Sequence, residues 1–143
     1  MKNNSPINIV EEIWTYLSPF SAHQISIWGN DFATVEHAYQ WSKFQNMEIQ
    51  NEIKSSKSPL DAWKIANKYK SETKKDFNKD AVMEELFRAK MMQHPDIVEI
   101  LKLSGEKGIL KIYPTDFYWG TGNDGSGENK MGKLWMKLRS ELG

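Results

Sequence analysis

The sequence contains no cysteine. That excludes disulfide staples, thiolate metal sites and a cysteine nucleophile, and nothing points to an oxidising compartment, so a cytoplasmic location is expected. An excess of either charge is missing too: nineteen Lys and Arg balance nineteen Asp and Glu. No global field draws such a chain onto a polyanion, and generic coating of DNA is not expected. Long apolar runs are absent. Met1 to Pro6 is polar, without the apolar stretch of a signal peptide, and no later run approaches the roughly 18 apolar residues of a membrane span, so no membrane partner is expected. The three histidines, His23, His37 and His94, stand far apart without metal-ligand spacing, and neither a metal nor another cofactor is expected. There is no repeat, low-complexity tract or Pro/Gly/Ser linker, which predicts one domain over residues 1–143.

What is present is apolar and aromatic. Hydrophobic residues make up 39% of the 143 positions, with six Trp, six Phe and five Tyr. This is too much for a disordered chain and enough to bury a core without staples.

The local signals are mostly helical. Residues 24–28 (Gln-Ile-Ser-Ile-Trp) alternate, Gly29-Asn30-Asp31 carries turn chemistry, and Phe32-Ala33 returns as a second short strand, predicting a small hairpin. Thr34 caps a helix predicted from Val35 to Gln45, since nothing in that stretch stops it. Ser58-Pro59-Leu60-Asp61 opens another helix running to about Tyr69. Asn78 or Lys79 to Gln93 places Val82, Leu86 and Ala89 on one stripe with Met83 and Phe87 beside it, a substantially buried helix that His94-Pro95 ends. Asp96 to Leu103 is a short helix closed by Gly105, and Ile109 to Tyr113 a strand stopped by Pro114. Residues 120–129 hold four glycines (120, 122, 125, 127) and predict a flexible loop. Met131, Leu134, Trp135, Leu138 and Leu142 then repeat at helical spacing, with Asn129 as the N-cap. Five or six helices against two to four short strands predict a compact, mainly helical α+β domain, not a βαβ sheet.

Two constellations could carry chemistry. At 100° per residue, Glu36, Tyr39, Gln40 and Lys43 share about a 100° arc of the first helix, and His37, Trp41 and Phe44 form a separate stripe. The arc is either a solvated face, with Glu36 favoured by the positive helix N-terminus, or an active one. In the active reading Glu36 acts on water or on developing positive charge, Tyr39 offers a ring to a planar ligand, and Lys43 neutralises phosphate or serves as an amine nucleophile. His37, on the aromatic stripe, reads as a hydrogen-bonded core residue. Asp116-Phe117-Tyr118-Trp119-Gly120 sets a carboxylate among three rings, which suits a planar heterocycle or, equally, an Asp-capped turn. The Gly-rich loop after it has neither Walker A nor dinucleotide spacing, so a phosphate cradle is weakly indicated. Arg139 reads as the partner of a surface carboxylate, and Lys74-Lys75 as solvated surface.

Thr34-Val35-Glu36-His37-Ala38-Tyr39-Gln40, followed by Lys43-Phe44, resembles the signature helix of the NADAR family, the YbiA-like proteins linked to NAD and ADP-ribose metabolism. Ser104-Gly105, then Asp116-x-x-Trp119-Gly120-x-Gly122, then Asn129-x-Met131-Gly132-x-Leu134-x-Met136-x-x-Arg139 follow in the family's order, so the resemblance spans nearly the whole chain. One departure is Leu17-Ser18-Pro19-Phe20, which stands where many members carry an Asn-Phe pair. The resemblance implies a multihelical fold and an N-glycosidase. Its small-molecule substrate would be a phosphoribosylamino-pyrimidine, an early riboflavin intermediate. Two alternatives stay open: hydrolysis of ADP-ribosyl-guanine in nucleic acid, and a module that binds ADP-ribose or NAD without cleaving it. Carried over position by position, Glu36, Lys43 and Asp116 are the implied catalytic residues, and Tyr39, Trp119, Gly120 and Asn129 the substrate-binding ones. Glu36 would stabilise oxocarbenium-like charge or activate water, and Asp116 would orient a hydroxyl or protonate the leaving nitrogen. Lys43 would meet phosphate or form a Schiff base with an opened ribose. The oligomeric state is left open.

Overall fold

The computed structural model describes residues 5–143. Residues 1–4, within the polar stretch discussed above, lie outside the described residues. In chain order the elements are β1 (Ile7–Asn8), a 3-10 helix (Glu12–Leu17), β2 (Ile25–Ile27), β3 (Asn30–Phe32), α1 (Val35–Ser42), α2 (Met47–Lys54), α3 (Pro59–Lys68), a 3-10 turn (Lys70–Glu72), α4 (Lys79–Gln93), α5 (Pro95–Leu103), β4 (Ile109–Leu110) and α6 (Lys130–Ser140). The fold is mainly helical α+β, as the patterning predicts, and among the described residues no helix is long and apolar enough to cross a membrane. The chain forms two compact units: Pro19–His94, and the flanking segments up to Ser18 and from Pro95.

In the Pro19–His94 unit, β2 and β3 pair antiparallel, Ile25 opposite Phe32 and Ile27 opposite Asn30. The turn is Trp28-Gly29, one residue earlier than the Gly-Asn-Asp signal placed it. Both residues have positive φ, 53° and 75°, the mirror-image turn whose twist matches a two-residue hairpin. Such a φ is unusual for a bulky side chain. Trp28 is held there by near-parallel stacking on Trp41 (centroids 6.0 Å apart) and by donation from Nε1 to Glu85 (3.0 Å).

Thr34 caps α1 as expected, its Oγ1 accepting from the His37 amide at 3.2 Å. The helix ends at Ser42, not Gln45, because the Asn46 side chain accepts from the amides of Glu48 and Ile49 and starts the unpredicted α2. Ser58 accepts from the Asp61 amide (3.0 Å) and opens α3. The three helices bury Phe44, Ile49, Ile53, Ala62 and Ala66, with Trp41, Ile65 and Tyr69 against them. Each fully buried Phe or Ile contributes roughly 1.5–3 kcal/mol, so this cluster fixes the orientation of α1. His37 is a core residue, bonded to Thr34 Oγ1 (2.8 Å) and the Ser56 carbonyl (3.1 Å). In α4 the buried stripe is Met83, Leu86, Phe87 and Lys90, with Lys90 Nζ donating to Ser21 at 2.6 Å; Val82 and Ala89 are only partly covered. The fold also brings together two histidines that are distant in sequence: the rings of His23 and His94 meet edge to face at 4.9 Å.

In the other unit, β1 and β4 pair in parallel, Ile7 with Ile109 and Asn8 with Leu110. The strand stops at Leu110 rather than Tyr113 because the next two amides, of Lys111 and Ile112, donate instead to the side-chain oxygens of Asn129 and Asn8. Helix α6 buries Met131, Trp135 and Leu138. Trp135 Nε1 donates to the Leu17 carbonyl (2.8 Å). Arg139 meets no carboxylate in these bonds; it donates to Ser104 Oγ and the Lys107 carbonyl, both at 2.8 Å.

Candidate active site

Helix α1 brings Glu36, Tyr39, Gln40 and Lys43 onto one face, and that face is not solvated. Glu36, Tyr39 and Gln40 are 6%, 4% and 3% exposed. The Glu36 amide, one of the first-turn donors a helix leaves without an internal partner, bonds to the Pro19 carbonyl (3.1 Å). Its carboxylate accepts from Gln40 Nε2 at 2.6 Å, one turn along. The Tyr39 ring meets Phe77 edge on at 5.7 Å, and Lys43 Nζ lies 4.9 Å from the Tyr39 ring centroid. Burial pushes the Lys43 ammonium towards deprotonation and Lys79 and Lys70 add to the effect; the Glu36 carboxylate opposes it, and the net shift is downward from 10.5. A buried carboxylate, an aromatic face and an amine of reduced basicity therefore share about two helical turns.

Sequence reasoning missed a cavity in the same unit. At about 400 Å³, it is lined by Trp28, Trp41, Ser42, Phe77 and Glu85 among others. Two of its lining residues touch Tyr39: the Phe77 ring meets the Tyr39 ring, and Ser42 Oγ donates to the Tyr39 carbonyl at 2.6 Å. The lining residues come from a turn (Trp28), two helices (Trp41 and Ser42, then Glu85) and a loop (Phe77), so no single stretch of sequence marks them. Neither this cavity nor a second one of about 580 Å³, between Gln24, Asp31, Phe32, Asn51 and Lys54, has any of the predicted site residues in its lining. The carboxylate of the second, Asp31, is engaged by Ser26 Oγ at 2.5 Å.

The C-terminal predictions meet in the other unit. Asp116 Oδ2 pairs with Lys111 Nζ (2.7 Å), and Oδ1 accepts from the amides of Trp119 (2.9 Å) and Tyr118 (3.2 Å). Burial pushes the Asp116 carboxyl up, but the Lys111 bond and charge, with the Trp119 and Tyr118 amides, outweigh it and hold the group below its ordinary 3.8. An acid this strong is ionised at neutral pH and ill suited to protonate a leaving nitrogen; the geometry is that of an Asp-capped turn. Trp119 is half-buried, its ring edge to face with Tyr118 at 5.0 Å, and its carbonyl accepts from the Met131 amide (3.1 Å). Gly120 is buried, and a Cβ there would lie 2.7 Å from the Lys111 carbonyl oxygen.

Asn129 is not an N-cap through its side chain. It sits at φ 51°, and its amide instead accepts from the Lys111 N–H and donates to the Ile109 carbonyl, both at 3.0 Å. Nor is the Gly-rich stretch a loose loop. The amides of Thr121, Gly122, Gly127 and Glu128 donate to the carbonyls of Lys111, Asp116, Thr121 and Phe117, which leaves those amides unable to cradle phosphate.

Asp116 has a measurable consequence. Its folded-state pKa is depressed, so the stability it contributes is fully present above the unfolded carboxyl value of about 4 and is lost as pH falls through the folded value. Asp116→Asn keeps the turn's acceptor but not the ion pair. In urea unfolding, the variant is expected to be less stable than wild type at pH 7 and to converge on it as the pH is lowered through the folded-state value; a gap of constant size from neutral to acid pH would show that the ion pair is not its cause.

The family model for the NADAR domain matches residues 8–143. The N-glycosidase YbiA of Escherichia coli is 32% identical over 127 residues, covering 87% of this chain and 79% of that protein. A chloroplastic riboflavin biosynthesis protein of Zea mays is 31% identical over 148 residues, 92% of this chain but 24% of that longer protein. The NMR structure of E. coli YbiA superposes with a TM-score of 0.86 at 29% identity, covering 99% of this chain and 87% of that one. With the signature helix, the glycine-packed turn and the C-terminal helix all inside the matched region, the chain belongs to the NADAR domain family.

Proposed function

We propose that this N-glycosidase hydrolyses the ribosyl C–N bond of a phosphoribosylamino-pyrimidine, with Glu36 as the carboxylate that acts at the sugar. The observation that carries the reading is the 6% exposure of Glu36 and its 2.6 Å bond from Gln40. Cleaving a ribosyl C–N bond builds positive charge on the sugar. A fixed carboxylate stabilises that charge far more effectively when sheltered from bulk water. The positive end of α1 attracts the carboxylate, and Gln40 fixes one oxygen so that it does not have to reorganise as the charge develops. Lys43, over the Tyr39 ring, is assigned to the substrate's phosphate, where a cation is needed. The pyrimidine is favoured by the likeness to a protein named for riboflavin biosynthesis.

The deciding assay follows release of ribose 5-phosphate from the aminopyrimidine substrate, alongside release of ADP-ribose from an ADP-ribosyl-guanine oligonucleotide. Cleavage of the first alone is the expected result. Cleavage of the second alone would move the protein to nucleic-acid repair chemistry, and binding of ADP-ribose without cleavage of either would make it a binding module. The lowered basicity of Lys43 favours a second route, in which its amine forms a Schiff base with the opened ribose. Borohydride added during turnover separates the two. Lys43 is expected to stay unmodified by mass spectrometry with activity retained, whereas a sugar adduct on Lys43 would replace the water route.

A further inference from the structure

We infer that Gln40 accepts a hydrogen bond from the 2-hydroxyl of the bound ribosyl group, and is thereby the residue through which the site demands ribose over 2-deoxyribose. The inference rests on the glycosidase reading above and adds a residue and a sugar specificity to it. Gln40 is 3% exposed, and its Nε2 donates to Glu36. An ionised carboxylate only accepts, so the nitrogen must face Glu36 and the orientation of the amide is set. The oxygen then points the other way. Gln40 Oε1 is buried and, among the described residues, has no hydrogen-bond partner. Buried polar atoms are nearly always paired, so this acceptor, beside the carboxylate assigned to the sugar, is open to a donor that a ligand brings.

Distance selects the donor. The two heteroatoms of an amide lie roughly 2.2 Å apart, so Oε1 is within about 5 Å of the Glu36 oxygen. A carboxylate acting at the anomeric carbon approaches it to about 3–3.5 Å. Of the donors near that carbon, the glycosidic N–H lies on the leaving-group face, opposite a carboxylate that acts on the sugar, which leaves the 2-hydroxyl, one carbon away; the phosphate has only acceptors to offer when ionised. The bond also strengthens at the right moment, because charge developing on the sugar makes the 2-hydroxyl a better donor.

The test crosses two substrates with two proteins. Wild type and Gln40→Met are assayed on the ribosyl and 2-deoxyribosyl forms of the aminopyrimidine phosphate, each kcat/KM divided by the uncatalysed rate, since losing the 2-hydroxyl itself eases C–N cleavage in solution. Wild type is expected to favour the ribosyl form by about 10²-fold on this scale, and Gln40→Met to reduce that preference to within about threefold. Equal loss on both substrates would overturn the inference and leave Gln40 acting only through Glu36; so would the absence of any preference in wild type. Should the Met variant fail to fold, Gln40→Asn, which withdraws the amide by one methylene, must show the same selective loss. If folded wild type cleaves neither sugar, the aminopyrimidine reading itself fails, and the assignment of Gln40 falls with it.

Discussion

Glu36→Gln is expected to lower kcat for ribosyl C–N cleavage by about 10²–10³-fold with little change in KM. The substitution keeps the shape of the side chain, and the new amide can still accept from Gln40 Nε2, so the 2.6 Å contact within α1 survives. What disappears is the negative charge. Lost attraction to the helix N-terminus, about 0.3–1 kcal/mol, is offset by the relief of burying a neutral group rather than an ion, so the melting temperature should stay close to wild type. A fall in kcat at unchanged KM and unchanged stability would mean that the charge acts in the transition state. If activity instead falls only because the protein unfolds, Glu36 is a structural residue. Full activity in the variant would remove it from the mechanism altogether.

The parts of this molecule that were legible in the sequence are those decided within a few residues. Thr34 and Ser58 cap their helices because a side-chain oxygen and an amide three residues on are enough to define the interaction. The arc of Glu36, Tyr39, Gln40 and Lys43 was legible in the same way, since periodicity alone decides which residues share a face. Whether that face is wet or covered is not a local property. It depends on Phe77, which packs on Tyr39 from 38 positions away in sequence, and on the Pro19 carbonyl that takes the Glu36 amide. The hairpin turn was misplaced by one residue because Asn30 and Asp31 carry the usual turn chemistry. The backbone instead turns at Trp28-Gly29, where Trp41 and Glu85 hold an indole in a conformation its own propensity disfavours. Asn129 misled in a similar manner. An asparagine before an amphipathic run is an ordinary cap signal, but two backbone groups beside β4, the Ile109 carbonyl and the Lys111 amide, take its side chain first. The Asn-Phe pair that many relatives carry, here replaced by Leu17-Ser18-Pro19-Phe20, is spanned by structural contacts made through main-chain carbonyls, those of Leu17 and Pro19, which do not depend on the side chains at those positions.

The glycines were misread for a physical reason that leads to the largest expected effect on stability. A Gly-rich stretch reads as flexible because glycine has many conformations, yet here glycine is needed for the side chain it lacks. At Gly132, in the first turn of α6, a Cβ would lie 2.0 Å from the Ile109 carbonyl oxygen and 2.5 and 2.8 Å from the Asn129 amide atoms. The first of these is backbone of a paired strand and cannot swing aside; β4 is held in register with β1 through Ile7 and Asn8. Gly132→Ala must therefore push α6 away from β4, and it crowds the Asn129 side chain as well, whose displacement leaves the Lys111 amide and the Ile109 carbonyl without their partner. Overpacking of this kind costs about 1–3 kcal/mol, and each buried hydrogen bond left open about 1–3 kcal/mol more. Against this, alanine gains about 1 kcal/mol over glycine in a helix. A net loss of roughly 3–5 kcal/mol is expected, a large part of the 5–15 kcal/mol typical of a folded domain, read as a lower urea midpoint by far-UV circular dichroism. Adding Asn129→Ala should recover little, because the clash with the Ile109 oxygen remains. A Gly132→Ala protein as stable as wild type would mean that α6 and β4 are not in the close contact described, and that the glycine serves some purpose other than the approach of two backbones.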